Sequence, residues 1–560
     1  MSANIFEILR RDPKITVIMT VRDTDCSFLD AAINSVRMQD YKNWELCIVN
    51  GGSTIEATSK YLKAVSGKNI KVRFLKDDQS YSAALNDTVS MAKGSWIAFM
   101  NSRDLLTKDA LKTIAATIHK KDADMVYSDE DVVSPTGKFE RPYFKPGYSA
   151  DALLSYNYIG YITAVKKHIV AVVGGFRDEF KEAKYYDLWL RCVEKTQKIC
   201  RIPKILYHRR GLLCNVDYEA MSDLRTGEEG KRAVAEACAR RGIDATVLHN
   251  QYVGTYRVRR NIVGNPAVSI IIPFKDKAEY LKSCIDSILE KTSYKNFDIL
   301  GIDNNSREKE TASLIREYEL SWRKIKFIRY NGEFNYSKMN NAAVNLSVAD
   351  HVVLLNNDME VIKEDWLDEL LAHSQRPEVG AVGGKLYYPD GRVQHAGVVV
   401  GMNGVAGHVQ KDMDDCGLGY FYRGAIIQNM SAVTGACMMI KRKLYLDMGG
   451  LNEDHLPVGF SDTDLCLRLA EKGYNNIFTP YCELVHHESA SRNKVTPNYV
   501  LKRMIRGIEY FKLRHKKVLK EGDPYYSPNL PLNIDYLGFL KKAVDSKGKA
   551  EIDMPFYDRL

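Results

Sequence analysis

The feature that most constrains this chain is that its text runs twice. TVIMTVRD (Thr16–Asp23) returns as SIIIPFKD (Ser269–Asp276), and YKNWELCIVNGGS (Tyr41–Ser53) returns as YKNFDILGIDNNS (Tyr294–Ser306). IAFMNSRDLL (Ile97–Leu106) is matched by VVLLNNDMEV (Val352–Val361), VGGFRDEF (Val173–Phe180) by MGGLNEDH (Met448–His455), and YYDLWLRCVEKT (Tyr185–Thr196) by DTDLCLRLAEKG (Asp462–Gly473). A period of about half the chain means a duplicated domain, since solenoid repeats run at ~20–50 residues. Within each copy, apolar strand-like runs alternate with helical patterns, which predicts an α/β fold with a mostly parallel sheet covered by helices. Gly and Pro punctuate Gly254–Pro266. The expected division is residues 1–255, a linker 256–266, a second domain 267–520, and a C-terminal tail 521–560 lying on that domain.

The duplication permits a comparison of the copies. HVVLLNNDMEV (His351–Val361) reads as a buried strand that delivers Asn356, Asn357 and Asp358 to the carboxyl edge of a sheet, where ligands of open α/β folds bind. A carboxylate there suits Mg2+ or Mn2+ held together with substrate phosphates; the bland reading is that Asp358 caps the next helix. Where the second copy has Asp303, Asp358 and Asp462, the first has Asn50, Arg103 and Tyr185. The apolar framework survives in both copies while the carboxylates are missing as a set. The first copy therefore reads as degenerate and the second as the working one, with independent drift as the alternative.

Composition narrows the class. The net charge of +9, from 80 basic and 71 acidic residues, is mild for 560 residues and compatible with anionic substrates or surfaces. No recognised nucleic-acid motif accompanies it. Eleven scattered cysteines, never spaced CxxC, point to a reducing compartment rather than to a disulfide frame or zinc site. The N-terminal residues have no apolar signal core, and no apolar run approaches the ~18 residues of a membrane span, so a cytoplasmic location is expected. Arg503–Lys520 is a basic amphipathic helix candidate, suited either to packing on the second domain or to an anionic membrane surface.

In combination and in order, SIIIPFKD, IDNNS, FNYSKMNNAA, LLNNDMEV, QHAGVVVGMNGVAGH, QNMSAVTGACMMIKR, GGLNE, FSDTDLCLRLAEKGY and TPYCELVHHESASR carry a resemblance. The second half resembles the GT-A fold of inverting family 2 glycosyltransferases. The whole chain, from about Ile15 to Asn529, is similar to the two-domain bacterial glycosyltransferases of O-antigen and surface-polysaccharide synthesis, often labelled rhamnosyltransferase-like. The resemblance implies two tandem GT-A-like domains and a nucleotide-sugar donor. It also implies a glycan acceptor, oligosaccharide or lipid-linked, at the inner face of the membrane. Asn356-Asn357-Asp358 falls at the family's DxD position, with Asp358 as ligand of Mg2+ or Mn2+ and Asn356 in place of the first Asp. Asp303 would hold the nucleoside, with Asn305 beside it and Pro273 and Asp276 shaping the loop. Asp462, in an ED-like motif whose Glu is Ser461, would be the base; Asp464 is the alternative. His486 or His487 would supply an imidazole to the metal or phosphate. Relatives carry a DxDD-like run where the first copy has Asn101-Ser102-Arg103-Asp104.

Other residues are more ambiguous. Lys338 and Asn341 lie on an expected helix start suited to phosphate or ribose, or on a solvated face. Met402–His408 lacks the spacing of a phosphate cradle and reads as a loop over donor or acceptor; His395 and His408 read as structural, with contact to sugar or phosphate as the alternative. Two rivals remain: both domains active, as in a bifunctional polymerase, or a non-catalytic scaffold that binds nucleotide sugar or glycan.

Overall fold

The computed structural model describes residues 12–65, 67–75, 79–134, 136–210, 224–414, 419–487 and 498–533. The chain divides into two compact units. The first comprises Met1–Tyr148, Leu153–Ile243 and Val247–Arg257; the second comprises Ser149–Ala152, Asp244–Thr246 and Val258–Leu560.

In the first unit, β1 (Ile15–Val21), β2 (Trp44–Asn50), β3 (Ile70–Phe74) and β4 (Trp96–Asn101) run parallel. β5 (Leu105–Leu106), β6 (Met125–Val133), β7 (Phe139–Tyr143), β8 (Thr163–Lys166) and β9 (Ile199–Arg210) complete the sheet in the order β3-β2-β1-β4-β8-β6-β9-β5, with β7 on β6. β8 is antiparallel to β4 and β6, so the sheet is mixed. Its central strands are apolar on both faces because helices cover both, as parallel sheets require. The first of these helices, Cys26–Arg37, starts where the Asp25 side chain accepts the Ser27 amide and buries Leu29, Ala32, Ile33 and Val36 at helical spacing.

A two-stranded ribbon, β10 (Ala245–His249) with β11 (Tyr256–Arg260), precedes the second sheet. That sheet uses β12 (Val268–Phe274), β13 (Phe297–Asp303), β14 (Ile325–Arg329), β15 (His351–Leu355), β16 (Met359–Val361) and β17 (Val379–Tyr387). The short strands β18 (Val393–His395), β19 (Val398–Val400), β20 (Ala406–His408) and β21 (Gln428–Met430) follow, then β22 (Cys437–Lys441) and β23 (Asn475–His486). The order β14-β13-β12-β15-β22-β17-β23-β16 repeats the first sheet strand for strand. The α/β architecture read from the sequence is present in both units; the antiparallel insertions of β8 and β22 make each sheet mixed rather than purely parallel.

The basic stretch near the C-terminus forms two helices, Asn498–Arg514 and Lys516–Glu521. Phe511 is buried in a cluster with Val400, Val405, Leu456 and Leu467, which fastens the first of them to the second unit. The tail continues the docking: Tyr526, Ser527 and Leu530 are buried, and Asp523 Oδ2 accepts the Val400 amide at 2.8 Å. Residues 534–560 of the expected tail lie outside the described residues.

Candidate active site

The carboxyl ends of β12, β13 and β15 form one edge, and the loops leaving them carry the candidate side chains. Pro273 is buried on β12. Asp276 takes a left-handed backbone (φ 52°), as does Asn305 (φ 56°). Asp276 Oδ1 accepts the amides of Arg307 (2.6 Å) and Glu308 (3.0 Å), and Asp303 Oδ1 accepts the Ser306 amide at 2.8 Å. The first unit builds the same turns: Asp23 Oδ1 accepts the Thr54 and Ile55 amides, and Asn50 Oδ1 accepts the Ser53 amide at 2.9 Å. The turn therefore needs an oxygen at position 303 and not a charge.

Asp358 is not a helix cap. The chain passes from Asp358 directly into β16, and the next helix starts at Trp366 behind Asp365. β16 pairs with β23, placing Met359 opposite His486, and His487 N donates to Asp358 O at 2.9 Å. His486 Nε2 comes within 3.3 Å of Asp358 Oδ1, and both side chains are buried. Neither Asp358 Oδ1 nor His486 Nδ1 has a hydrogen-bond partner, and the Asn357 amide nitrogen is orphaned as well. Asn356 Nδ2 is 3.4 Å from His486 Nε2. Buried polar atoms left unpaired are costly, so their convergence marks a place prepared for a ligand. His487 instead turns to Glu360, with Nε2 3.5 Å from its carboxylate. Of the two histidines, His486 faces Asp358.

These residues fit a divalent cation of the Mg2+ or Mn2+ kind, with Asp358 and His486 as protein ligands and substrate phosphates and water completing the shell. Among the described residues no three His, Cys, Asp or Glu side chains gather into a complete metal cage. Such a cation would depend on the substrate for the rest of its shell.

Asp462 lies at the N-terminal end of the helix Ser461–Glu471, where the helix dipole favours a carboxylate. Its Oδ2 accepts the Gly435 amide at 2.7 Å and its Oδ1 the Thr463 amide at 2.7 Å. Tyr336 Oη donates to Gly435 O at 2.8 Å, and Ala436 O accepts the Asn356 amide at 3.0 Å. One turn of chain thus links Asp462 to the Asn356–Asp358 segment. Any side chain at 435 would press on this arrangement, since a Cβ there would meet Tyr336 Oη at 3.0 Å and Asp462 Cβ at 3.3 Å.

Asp464 is placed otherwise. It is 1 % exposed, its Oδ2 accepts Arg468 Nε at 2.8 Å and its Oδ1 is 2.8 Å from His515 Nε2. The first unit keeps the same pair as Asp187 and Arg191. Burial alone would raise the Asp464 carboxyl, but the His515 hydrogen bond and the Arg468 charge outweigh it and hold it below the usual range. Both of its oxygens are engaged within the fold. Asp464→Ala is expected to cost about 3–5 kcal/mol by leaving Arg468 and His515 unpaired, read as a lowered Tm. The folded carboxyl titrates below its unfolded value, so this stabilisation is complete above the ordinary aspartate range of about pH 4. It is lost as pH falls through the lower folded value.

Asn341 clamps the loop after Gly450. Its amide nitrogen donates to Leu451 O and Glu453 Oε2, and its oxygen accepts Tyr445 Oη and the Leu451 amide. Asn86 holds Phe176 in the same way in the first unit. Lys338 is exposed in the first turn of the helix Tyr336–Leu346.

The sequence reading missed the neighbours of His486. His395 is fully buried, its ring centroid 4.7 Å from that of His408, and its Nδ1 is unpaired. Burial first, then the nearby His408 and His486, push its imidazole far below the ordinary value and keep it neutral. His408 Nδ1 is 3.2 Å from Gln394 O. Spacing along the chain could not reveal this, because β18 and β23 belong to the large sheet and β20 to a separate ribbon with β19, and only the fold brings their histidines together.

In open α/β sheets the crevice outside the carboxyl ends of the strands is where ligands bind, and the Asp358–His486 pair lies at that edge. The family model for glycosyl transferase family 2 matches residues 16–173 and 269–447, once in each unit, and the chain belongs to that family. An uncharacterized protein of Sinorhizobium fredii, y4gI, is 40% identical over 541 residues, covering 95% of this chain and 59% of that one. The O-antigen biosynthesis protein RfbC of Myxococcus xanthus is 35% identical over 544 residues, covering 96% of this chain and 42% of that one. The chain thus spans roughly half the length of these relatives. Among solved structures, S. aureus TarS is 19% identical with a TM-score of 0.30, over 40% of this chain and 71% of that one.

Proposed function

We propose that the second unit transfers a hexosyl or deoxyhexosyl group, with inversion, from a nucleotide-sugar donor to a glycan acceptor in bacterial surface-polysaccharide synthesis. The observation that carries this reading is the approach of His486 Nε2 to Asp358 Oδ1 at 3.3 Å in the second copy, with His486 Nδ1 and the Asn357 amide nitrogen left without hydrogen-bond partners next to it. The donor diphosphate would lie over Asp358 and His486, and Asp303 would hold the nucleoside end. Bound there, Mg2+ or Mn2+ supplies the positive charge that a departing nucleoside diphosphate needs. Asp462, fixed by the Gly435 and Thr463 amides, takes the proton of the acceptor hydroxyl as it attacks. Attack from the face opposite the leaving group inverts the anomeric carbon, so one base suffices and no covalent nucleophile is required.

The name of the Myxococcus relative supports the surface-polysaccharide assignment. A lipid-linked acceptor accords with the C-terminal helices. Ile505 and Leu513 are 50% and 72% exposed there, among Arg506, Lys512, Lys516, Lys517 and Lys520, a pattern suited to peripheral contact with an anionic membrane on its cytoplasmic side. Among the described residues no helix is long and apolar enough to cross a membrane. A bifunctional enzyme finds less support, because Asn50, Arg103 and Tyr185 stand where the second copy has its carboxylates.

Asp303→Asn is a clean test, because Asn50 closes the same turn in the first unit. The variant is expected to fold normally and to lose about 10- to 100-fold in affinity for the donor nucleotide, measured by calorimetric titration with Mn2+ and a panel of nucleoside diphosphates. Unchanged affinity for every nucleotide would remove Asp303 from the donor site.

A further inference from the structure

In the first unit, aromatic rings stand where the second unit has its candidate transfer site. Lys166 of β8 lies opposite Trp96 as Lys441 of β22 lies opposite His351, so counting back along the two strands lays Tyr161 on Ala436 and Gly160 on Gly435. Tyr185 stands where the second unit has Asp462, and Tyr81 opens a helix as Tyr336 does. A methyl group and a carboxylate in one copy are thus two phenols in the other. The two rings meet, with centroids 5.1 Å apart and planes at 70°.

Each ring is fixed from behind. Tyr161 lies flat on Tyr207 (centroids 5.6 Å apart, planes at 21°), whose hydroxyl donates to Asp104 at 2.6 Å and accepts the Asn101 amide at 3.0 Å. Tyr185 lies on Trp189 (6.1 Å, 29°) and meets the Phe176 ring edge-on at 5.4 Å. Tyr207 and Trp189 are fully buried, whereas Tyr161, Tyr185 and Tyr81 are half-buried. One face of Tyr161 and of Tyr185 is therefore backed by a ring that never meets solvent, and the part left wet is the opposite face or the hydroxyl-bearing edge. Lys184 Nζ, which donates to Lys181 O at 2.6 Å, lies 5.3 Å from the Tyr81 ring centroid and 5.9 Å from that of Tyr185. It ties the third phenol to the other two.

We propose that this aromatic corner binds a sugar ring of a glycan chain and holds it without transferring it. A saturated sugar ring has C–H faces that pack on aromatic rings and hydroxyls around its rim, and a tyrosine offers an apolar body with a polar tip to match both. The angle between the rings disfavours a nucleobase, since a flat base stacks between parallel planes and planes at 70° offer it one face at a time. Burial raises all three phenols above their ordinary value and keeps them protonated as donors to sugar hydroxyls. A protonated Tyr185 in the place of Asp462 provides no base, so the unit holds its ligand rather than reacting with it. The inference goes beyond the transfer proposed for the second unit and does not rest on it.

The full chain would be titrated with a panel of mono- to hexasaccharides, with uridine monophosphate as control, and the tightest binder taken into hydroxyl-radical footprinting read by mass spectrometry. The expected result is a glycan that shields Tyr161 and Tyr185 from oxidation and binds about 5- to 10-fold more weakly to Tyr161→Ala. Ala436 holds this position in the second unit, so the framework accepts the smaller side chain. Tyr161→Phe keeps the ring and should stay within about threefold of the parent. The footprint needs no variant, so it decides the question even where Tyr161→Ala lowers the Tm. Glycan binding that leaves Tyr161 and Tyr185 unshielded belongs to another surface and overturns the proposal. So does shielding by uridine monophosphate alone, or binding of none of the saccharides. Turnover is not read, so a failure of the second unit's chemistry leaves the result unaffected.

Discussion

Asp462→Asn is expected to lower turnover by about 10²–10⁴-fold while donor binding stays within a few-fold of the parent. The amide oxygen can keep only one of the two hydrogen bonds, which reach different oxygens from the Gly435 and Thr463 amides, so the variant's Tm is measured beside its turnover to show that the helix Ser461–Glu471 still forms. What disappears is a charged acceptor for the proton of the attacking hydroxyl. Single-turnover measurements with donor and acceptor, alongside nucleotide titration, separate chemistry from binding. Near-parental turnover would move the base elsewhere. Asp464 is not a ready substitute, because Arg468 and His515 occupy both of its oxygens.

Asp358→Ala should abolish the response of donor binding to Mg2+ or Mn2+ and reduce turnover by about 10³-fold, the several kcal/mol by which a cation stabilises a leaving diphosphate. The expected loss is larger than that for His486→Ala, since a single carboxylate carries the charge while the imidazole adds a neutral ligand. His487→Ala should matter less again, because that ring faces Glu360. The measurement is donor affinity across a Mn2+ titration for each variant. Metal-responsive binding that survives in Asp358→Ala would place the cation elsewhere and detach Asp358 from the leaving group.

The duplication was legible because apolar strands and their turns recur in the same order, and the two sheets repeat strand for strand. The strand ending at Leu355 could be read from four consecutive apolar residues, and Asn356–Asp358 falls at its end. The bland reading of Asp358 as a helix cap was equally consistent with the local sequence. It failed because the next three residues pair with β23, a partner more than a hundred residues away. Asn341 shows what local sequence leaves out: near a helix start it suggests a ligand contact, and in the fold three of its side-chain hydrogen bonds go to Leu451 and Glu453 and the fourth to Tyr445 Oη.

By itself the sequence determined the architecture, the duplication and which copy keeps its carboxylates, because those follow from periodicity and from residue identity at matched positions. Only the tertiary structure showed that Arg468 and His515 engage Asp464 while the Gly435 and Thr463 amides hold Asp462, because that depends on which side of one helix meets which neighbour. It also showed that His486, the last residue of β23, faces Asp358 while His487, just past the strand, faces Glu360, as alternation along an extended chain demands.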